Sequence, residues 1–278
     1  MKRLLLYIFL GIFTQTIGAQ DSLKVRALLE RGLQQSPNSN LPLFYAHQLK
    51  GTPYVAATLE VNPTEQLVVN LHQLDCTTLV ETCLALAFTT QEQSTRYEDF
   101  CKHLTRLRYR LGKLNGYASR NHYFQQWIWS NERLGLVQEI TSTQAPFTAT
   151  QRLDLHYMSQ KPHLYPMLKN DTAAQRKIRE YEQEASGHVV RYIPRSQLNG
   201  TKNGPLGIIQ DGDILAIVTK KAGLDTSHLG FAQWGKDGKL HLLNASQIHK
   251  KTVLEPMTLY QYMGKHPSQL GIRVIRMK

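Results

Sequence analysis

Three residue types in this chain could together carry nucleophilic catalysis: a cysteine as nucleophile, a histidine to take its proton, and a polar side chain to hold that histidine. Cys76 stands in Asp75-Cys76-Thr77-Thr78, after an extended apolar segment (Leu67, Val68, Val69, Leu71). Beyond it Leu79, Val80, Cys83, Leu84, Leu86 and Ala87 recur at the spacing of a buried helix. Asp75 is placed to cap that helix, and Glu81 follows early, where an acid suits the dipole. Cys76 therefore falls in the first turn, where unpaired N–H groups and the positive helix end favour a thiolate. Cysteines more commonly pack as small hydrophobes. Cys83 fits that description because it lies inside the apolar stripe, whereas Cys76 precedes the stripe and has polar neighbours. A thiol activated in this way should react rapidly with iodoacetamide near neutral pH, while a buried structural thiol should wait for denaturation.

The chain has 11 histidines, so context must choose among them. His228, in Ser227-His228-Leu229-Gly230, opens a strand after the loop from Lys220 to Ser227. A hairpin turn at Lys236-Asp237-Gly238-Lys239 then brings Asn244 back beside it. Facing residues of an antiparallel pair lie about 5 Å apart, so Asn244 can orient the His228 ring. His241 is three residues from Asn244 and falls on the opposite face, whereas Ser246 shares the face of Asn244 and competes with it. A helix-borne cysteine facing a sheet-borne histidine held by an amide is the logic of Cys-His-Asn hydrolases.

The remaining elements must position these residues. Ser22 to Leu33 reads as an amphipathic helix, Leu43 to Leu49 as a short helix, and Tyr54 to Val61 as extended. Gly51 and Pro53 make a rigid bend that fixes Tyr54. Ser94 to Gly116 is charged and helical in period, with Arg106, Arg108, Arg110 and Lys113 expected in solvent. Asn121 to Gly135 brings together His122, Tyr123, Phe124, Trp127 and Trp129. Trp127 and Trp129 cannot share one helix face; both are core candidates, and one could line a groove as a sugar-binding surface. Residues 154–184 are polar and helical, with Asp171 or Thr172 as a cap. Strands are expected at Val189–Ile193, Ile214–Thr219, His228–Trp234, Leu240–Ala245 and Ile272–Arg276.

The ends and composition bound the setting. Lys2 and Arg3, the apolar run Leu4–Phe13 and the small-residue site Ile17-Gly18-Ala19 make a signal peptide, cleaved near Ala19. An exported protein is expected from that leader, with the periplasm as its location. The length of residues 20–278 suits one large domain or two small ones. The apolar run is too short to span a bilayer, and no later stretch is long enough, so no stable membrane insertion is expected. Only Cys76, Cys83 and Cys101 are present, so an odd thiol remains. Cys76 and Cys83 would lie about 10 Å apart on one helix, too far for a disulfide, whereas Cys83 and Cys101 could pair. The formal net charge of +12 favours anionic partners. The chain has no nucleic-acid motif, and export leaves little access to nucleic acid, so envelope polymers are the better candidates.

Four of these pieces stand in the order of a known group. Gly51-Thr52-Pro53-Tyr54, Asp75-Cys76-Thr77-Thr78, Ser227-His228-Leu229-Gly230 and Asn244 resemble the motifs of NlpC-type cell-wall hydrolases, which have a papain-like fold. More narrowly, GTPYVAATLE, LDCTTLVE, NHYFQQWIWSNERLG, DGDILAIVTKKAGLDTSHLGFA and LLNAS are similar to the N-acetylmuramoyl-L-alanine amidase-like branch, over most of residues 45–275. The resemblance implies a single domain over residues 20–278, an α+β fold with the cysteine helix packed on an antiparallel sheet and a helical insertion at about 92–188. It implies cleavage between N-acetylmuramic acid and L-alanine in peptidoglycan fragments, or, in most relatives, between D-glutamate and the diamino acid. It assigns Cys76 as nucleophile, His228 as base, Asn244 as its orienting partner and Tyr54 as an oxyanion or substrate-orienting group. Asp75, Ser227, Trp127 and Trp129 are the expected substrate contacts. A monomer with no metal or cofactor is expected; neither H-E-x-x-H nor a paired C-x-x-C is present. The bland alternative is a non-catalytic envelope-binding module with the cysteine helix as core.

Overall fold

The computed structural model describes residues 20–278. The leader and its cleavage site lie outside the described residues. Helix α1 covers residues 20–33 and α2 covers Leu41–Gln48. The central helix α3 runs from Cys76 to Gln91, and α4 from Tyr97 to Arg108. Helix α3 is buried on almost every side from Thr78 to Thr90, which explains why its apolar pattern is broad. Leu79, Val80, Leu84 and Leu86 are fully enclosed, each contributing about 1.5–3 kcal/mol through burial.

Asp75 builds the start of α3. Its Oδ1 accepts from the Thr78 amide at 2.8 Å, and its own amide donates to Thr78 Oγ1 at 2.9 Å, a reciprocal capping box. Cys76 is consequently the first residue of the helix. Glu81 does not serve the helix dipole from the surface. It is buried and accepts from Arg108 Nε at 2.7 Å. Arg108 is thereby corrected from a solvated residue to a buried ion-pair partner, whose Nη1 also donates to the Val68 carbonyl at 2.6 Å. This contact clamps α4 to α3 and to the segment leading into the cysteine.

An antiparallel sheet carries the rest: β1 (Val137–Ile140), β2 (Ala149–Arg152), β3 (Val189–Pro194), β4 (Ile214–Thr219), β5 (Thr226–Trp234), β6 (Leu240–Ser246), β7 (Lys251–Leu254) and β8 (Gln269–Met277). The strand order is β2-β3-β8-β4-β5-β6-β7, with β1 also paired to β8. The fold is thus α+β with α3 against β5 and β6. One apolar core lies between α3 and this sheet, and a second fills the opposite face, where α8 (Leu259–Gly264) packs.

The expected helical insertion holds α4, α5 (Phe124–Arg133), α6 (Tyr157–Gln160) and α7 (Thr172–Ala185), the last capped by Asp171. It is not wholly helical. Strands β1 and β2 within it join the sheet through β8 and β3, and they were missed because each is only four residues long. A small third core of Tyr117, Tyr123, Leu155, Met158, Leu168 and Ile178 holds this region together. Tyr54–Val61 is likewise not a strand. Tyr54 makes one isolated bridge to Leu74, and the chain then turns with Ala57 at φ 58°. Cys76, Cys83 and Cys101 are all unpaired. Among the described residues no helix is long and apolar enough to cross a membrane.

Candidate active site

Cys76 and Thr77 from the start of α3 open into a cavity of about 170 Å³. Its other walls are residues 121–124 and Trp127 from the insertion, and residues 224–229 from the loop and strand carrying His228. Nucleophile and base candidates from positions 152 residues apart in sequence thus face one space.

The geometry around His228 comes from a bulge in β5 and from the register of β5 with β6. Ile217 pairs with His228 and Val218 with Thr226, so Ser227 is an extra residue, a bulge that re-aims the strand beside the cavity. Phe231 pairs with Leu243. Continuing that register places Gly230 beside Asn244, and Asn244 reaches His228 on the diagonal. His228 Nε2 lies 2.9 Å from Asn244 Oδ1. Asn244 Nδ2 donates to the Leu242 carbonyl at 3.4 Å, which fixes the oxygen towards the histidine. An amide oxygen only accepts, so His228 Nε2 carries the proton and Nδ1 keeps the lone pair that a base needs. Ser246 is not the partner; its Oγ accepts from the His249 amide. His241 points to the Glu255 carbonyl.

The expected thiolate is corrected. Burial, and then the charge of Asp75, push the Cys76 thiol up to about 12, against the Leu229 and Thr77 amides and the Thr77 hydroxyl, which favour the anion. Burial also lowers His228, opposed by its bond to Asn244. The resting pair is therefore a thiol and a neutral imidazole, because desolvation of charge outweighs a helix end whose stabilisation is about 1 kcal/mol.

Tyr54 is pinned by the bend at Gly51–Pro53. Its amide donates to the Lys250 carbonyl at 2.9 Å, while the Leu74 amide donates to the Pro53 carbonyl at 3.0 Å. Burial, then Cys76 and Asp75, raise its hydroxyl to about 12, so it is a neutral O–H near the sulfur. Ser227 lines the cavity, and its buried Oγ has no hydrogen-bond partner among the described residues. Asp75 is placed differently from expectation: its Oδ1 is committed to the helix cap, and it does not line the cavity. Trp127 forms cavity wall, stacked on Phe124 with centroids 5.0 Å apart. Trp129 is not there. It packs edge-on against His188 and borders another depression with Arg110, Arg133 and Glu184.

Several cavity residues were not singled out from sequence. Asp225 is buried; its Oδ2 accepts from the Gln125 amide at 2.6 Å and its Oδ1 from the Thr226 amide at 2.8 Å. It thereby ties the start of α5 to the loop before His228, across 100 residues of sequence. The only sequence signal was its position three residues before His228. Asn121 and His122 belong to the aromatic segment 121–135, whose pattern assigns them no role.

These features define a class: an α+β protein whose antiparallel sheet and buried helix bring a cysteine and an amide-held histidine into one cavity. The chain belongs to the AmiA-like, N-acetylmuramoyl-L-alanine amidase-like family, whose model matches residues 45–272. A crystal structure from Bacteroides uniformis named an N-acetylmuramoyl-L-alanine amidase is 40% identical, with TM-score 0.78, covering 86% of this chain and 97% of that one. A Bacteroides fragilis structure with a provisional xylanase name is 42% identical, with TM-score 0.78, covering 84% of this chain and 100% of that one. A Legionella pneumophila structure at 24% identity shares the fold, with TM-score 0.68, covering 95% of this chain and 96% of that one. A search of curated proteins found no match.

Proposed function

We propose that this protein is a cysteine amidase that cleaves the bond between the lactyl group of N-acetylmuramic acid and L-alanine in peptidoglycan fragments. The observation that carries the reading is Cys76 at the first position of α3, in one cavity with a histidine whose Nε2 is held by Asn244. The family and its amidase-named relatives supply the bond. A papain-like, NlpC-type ancestry fits the same arrangement. The xylanase name of one relative is a poor guide here: glycoside hydrolysis ordinarily needs two facing carboxylates, and the only carboxylate lining this cavity, Asp225, is committed to backbone amides.

In this mechanism His228 Nδ1 takes the Sγ proton as the sulfur attacks the lactyl carbonyl carbon. The carbonyl π electrons move to oxygen, where the Cys76 backbone N–H and the Tyr54 hydroxyl donate hydrogen bonds. The first residue of a helix has no intrahelical acceptor for its N–H, so this donor is available. Collapse breaks the C–N bond, and His228 passes its proton to the departing L-alanine nitrogen. His228 then deprotonates a water that attacks the thioester, releasing the lactyl carboxylate and the free thiol. Ser227 and the Trp127 wall contact the substrate.

The fragment's carboxylates suit the +12 chain. Export to the periplasm through the N-terminal leader matches such a substrate. The reading is tested by incubating purified protein with N-acetylmuramoyl-L-alanyl-D-glutamyl-diaminopimelate. A new α-amine should appear on L-alanine with the active protein and not with Cys76→Ala. A new amine on the diamino acid instead would make the protein a stem endopeptidase, and no cleavage by either would leave a binding module.

A further inference from the structure

The nucleophile's cavity holds a second histidine that the mechanism does not use. His122 lines the same space as Cys76 and His228. Its Nε2 lies 2.9 Å from the Tyr117 carbonyl oxygen. A carbonyl oxygen only accepts, so Nε2 carries the proton and Nδ1 is left as an acceptor. The ring is held in place: the Tyr117 side chain packs on it with centroids 4.5 Å apart. The Arg120 guanidinium, bonded to both Glu60 and Glu65, sits over the Tyr117 ring at 4.9 Å. Burial first, and then the Arg120 charge, hold the His122 imidazolium down to about 3. The ring is therefore neutral at any pH near neutrality, and it cannot relay protons there as His228 does.

We propose that His122 Nδ1 is a specificity contact that accepts a hydrogen bond from an uncharged N–H or O–H of the substrate beside the scissile amide. The identity of that substrate rests on the amidase reading. With Nε2–H committed to the Tyr117 carbonyl, the neutral ring offers only an acceptor, which selects for a donor and gives a substrate carboxylate no N–H to bond. In a muropeptide two parts offer such a donor: the sugar, through its acetamido N–H or a hydroxyl, and the stem, through a backbone N–H. His122 stands on the insertion's side of the cavity, opposite the sheet that carries His228, so the contact would let the insertion read the substrate without touching the reacting atoms.

Two substitutions separate this role from a merely structural one. His122→Gln can keep an N–H directed at the Tyr117 carbonyl but has no acceptor at the Nδ1 position. His122→Asn loses the tie to Tyr117 but keeps an amide oxygen near that position. Kinetics are measured on N-acetylmuramoyl-L-alanyl-D-isoglutamine and on D-lactoyl-L-alanyl-D-isoglutamine, which lacks the sugar. Melting curves report the fold of each variant. His122→Gln should raise KM about tenfold with kcat changed only a few-fold, the loss of one neutral hydrogen bond. His122→Asn should recover most of that loss. If the penalty disappears on the sugarless substrate the donor is on the sugar, and if it persists the donor is on the stem. Equal losses in both variants, or no loss in either, would overturn the proposal. Calorimetric titration of the same ligands into the Cys76→Ala forms of all three proteins repeats the comparison without turnover. If the protein proves to cut another bond, the amidase reading fails while the binding comparison still decides the role of His122.

Discussion

Gly230 lies so close to Asn244 that a Cβ on the glycine would stand 3.0 Å from the Asn244 Cβ and 2.7 Å from the Leu243 carbonyl oxygen. The bare backbone at this point is what allows Asn244 to reach diagonally to His228. Gly230→Ala should therefore act on catalysis through the amide. Overpacking of this kind costs about 1–3 kcal/mol, and the displaced Asn244 should lower kcat at least tenfold with the fold retained. Steady-state kinetics and a melting curve check both parts.

The pairing of His228 with Asn244, and not with Ser246, sets an order of damage. His228→Ala should approach Cys76→Ala in severity, a loss of several orders of magnitude, because nucleophile and base act as a unit. Asn244→Ala should be milder, since the amide orients the ring without taking its proton. Ser246→Ala should change little. A larger loss in Ser246→Ala than in Asn244→Ala would reverse the assignment.

The neutral resting pair predicts a pH profile. His228 must be neutral to act as base, and burial lowers it from the ordinary 6.5. Activity should rise with pH through an apparent pKa below 6.5 and then stay flat through neutrality, because the thiol ionises only at about 12. Alkylation of Cys76 by iodoacetamide should be slow at neutral pH and climb steadily into the alkaline range, since the thiolate is the reactive form. Fast alkylation with a plateau at neutral pH would show a preformed ion pair instead.

The buried ion pair of Glu81 and Arg108 joins the cysteine helix to α4 at 2.7 Å, with both side chains 3% exposed. Removing either partner leaves a buried charge uncompensated, so Glu81→Met or Arg108→Leu should each cost about 3–5 kcal/mol in denaturant unfolding. The double variant should be less destabilised than either single one.

The insertion supplies one wall of the cavity through residues 121–124 and Trp127. Soluble muropeptides should therefore be cut faster than intact, cross-linked sacculi. The +12 charge should aid capture of acidic fragments, and moderate salt should weaken that aid. Digests of both substrates at two salt concentrations check this, and equal rates on sacculi and fragments would count against an enclosed groove.

Much of this site could be read from the chain because its parts obey local rules. The Asp75 cap, the apolar run of α3 and the hairpin after Trp234 are set by residues a few positions apart, and β4 occupies the expected span, Ile214–Thr219. What could not be read depends on contacts distant in sequence. Arg108 looked solvated because its partner is 27 residues away. Trp129 looked like a groove residue because its partner His188 belongs to another element. The thiolate expectation failed for a related reason. A helix start is visible in sequence, but the enclosure that makes a bare charge costly there is formed by β5 and the insertion. Asp225 and Gly230 lie close to His228 in the chain, but their roles are not legible there because they are defined by Gln125 and Asn244 across the fold.

The most direct test of the central claim is mass spectrometry of a mixed muropeptide digest by the purified protein and by Cys76→Ala. The account predicts free stem peptides beginning with L-alanine, together with the matching lactyl-bearing sugars, from the unaltered protein alone. Products that retain the muramic acid–alanine bond and are cut within the stem, or the same products from Cys76→Ala, would contradict it.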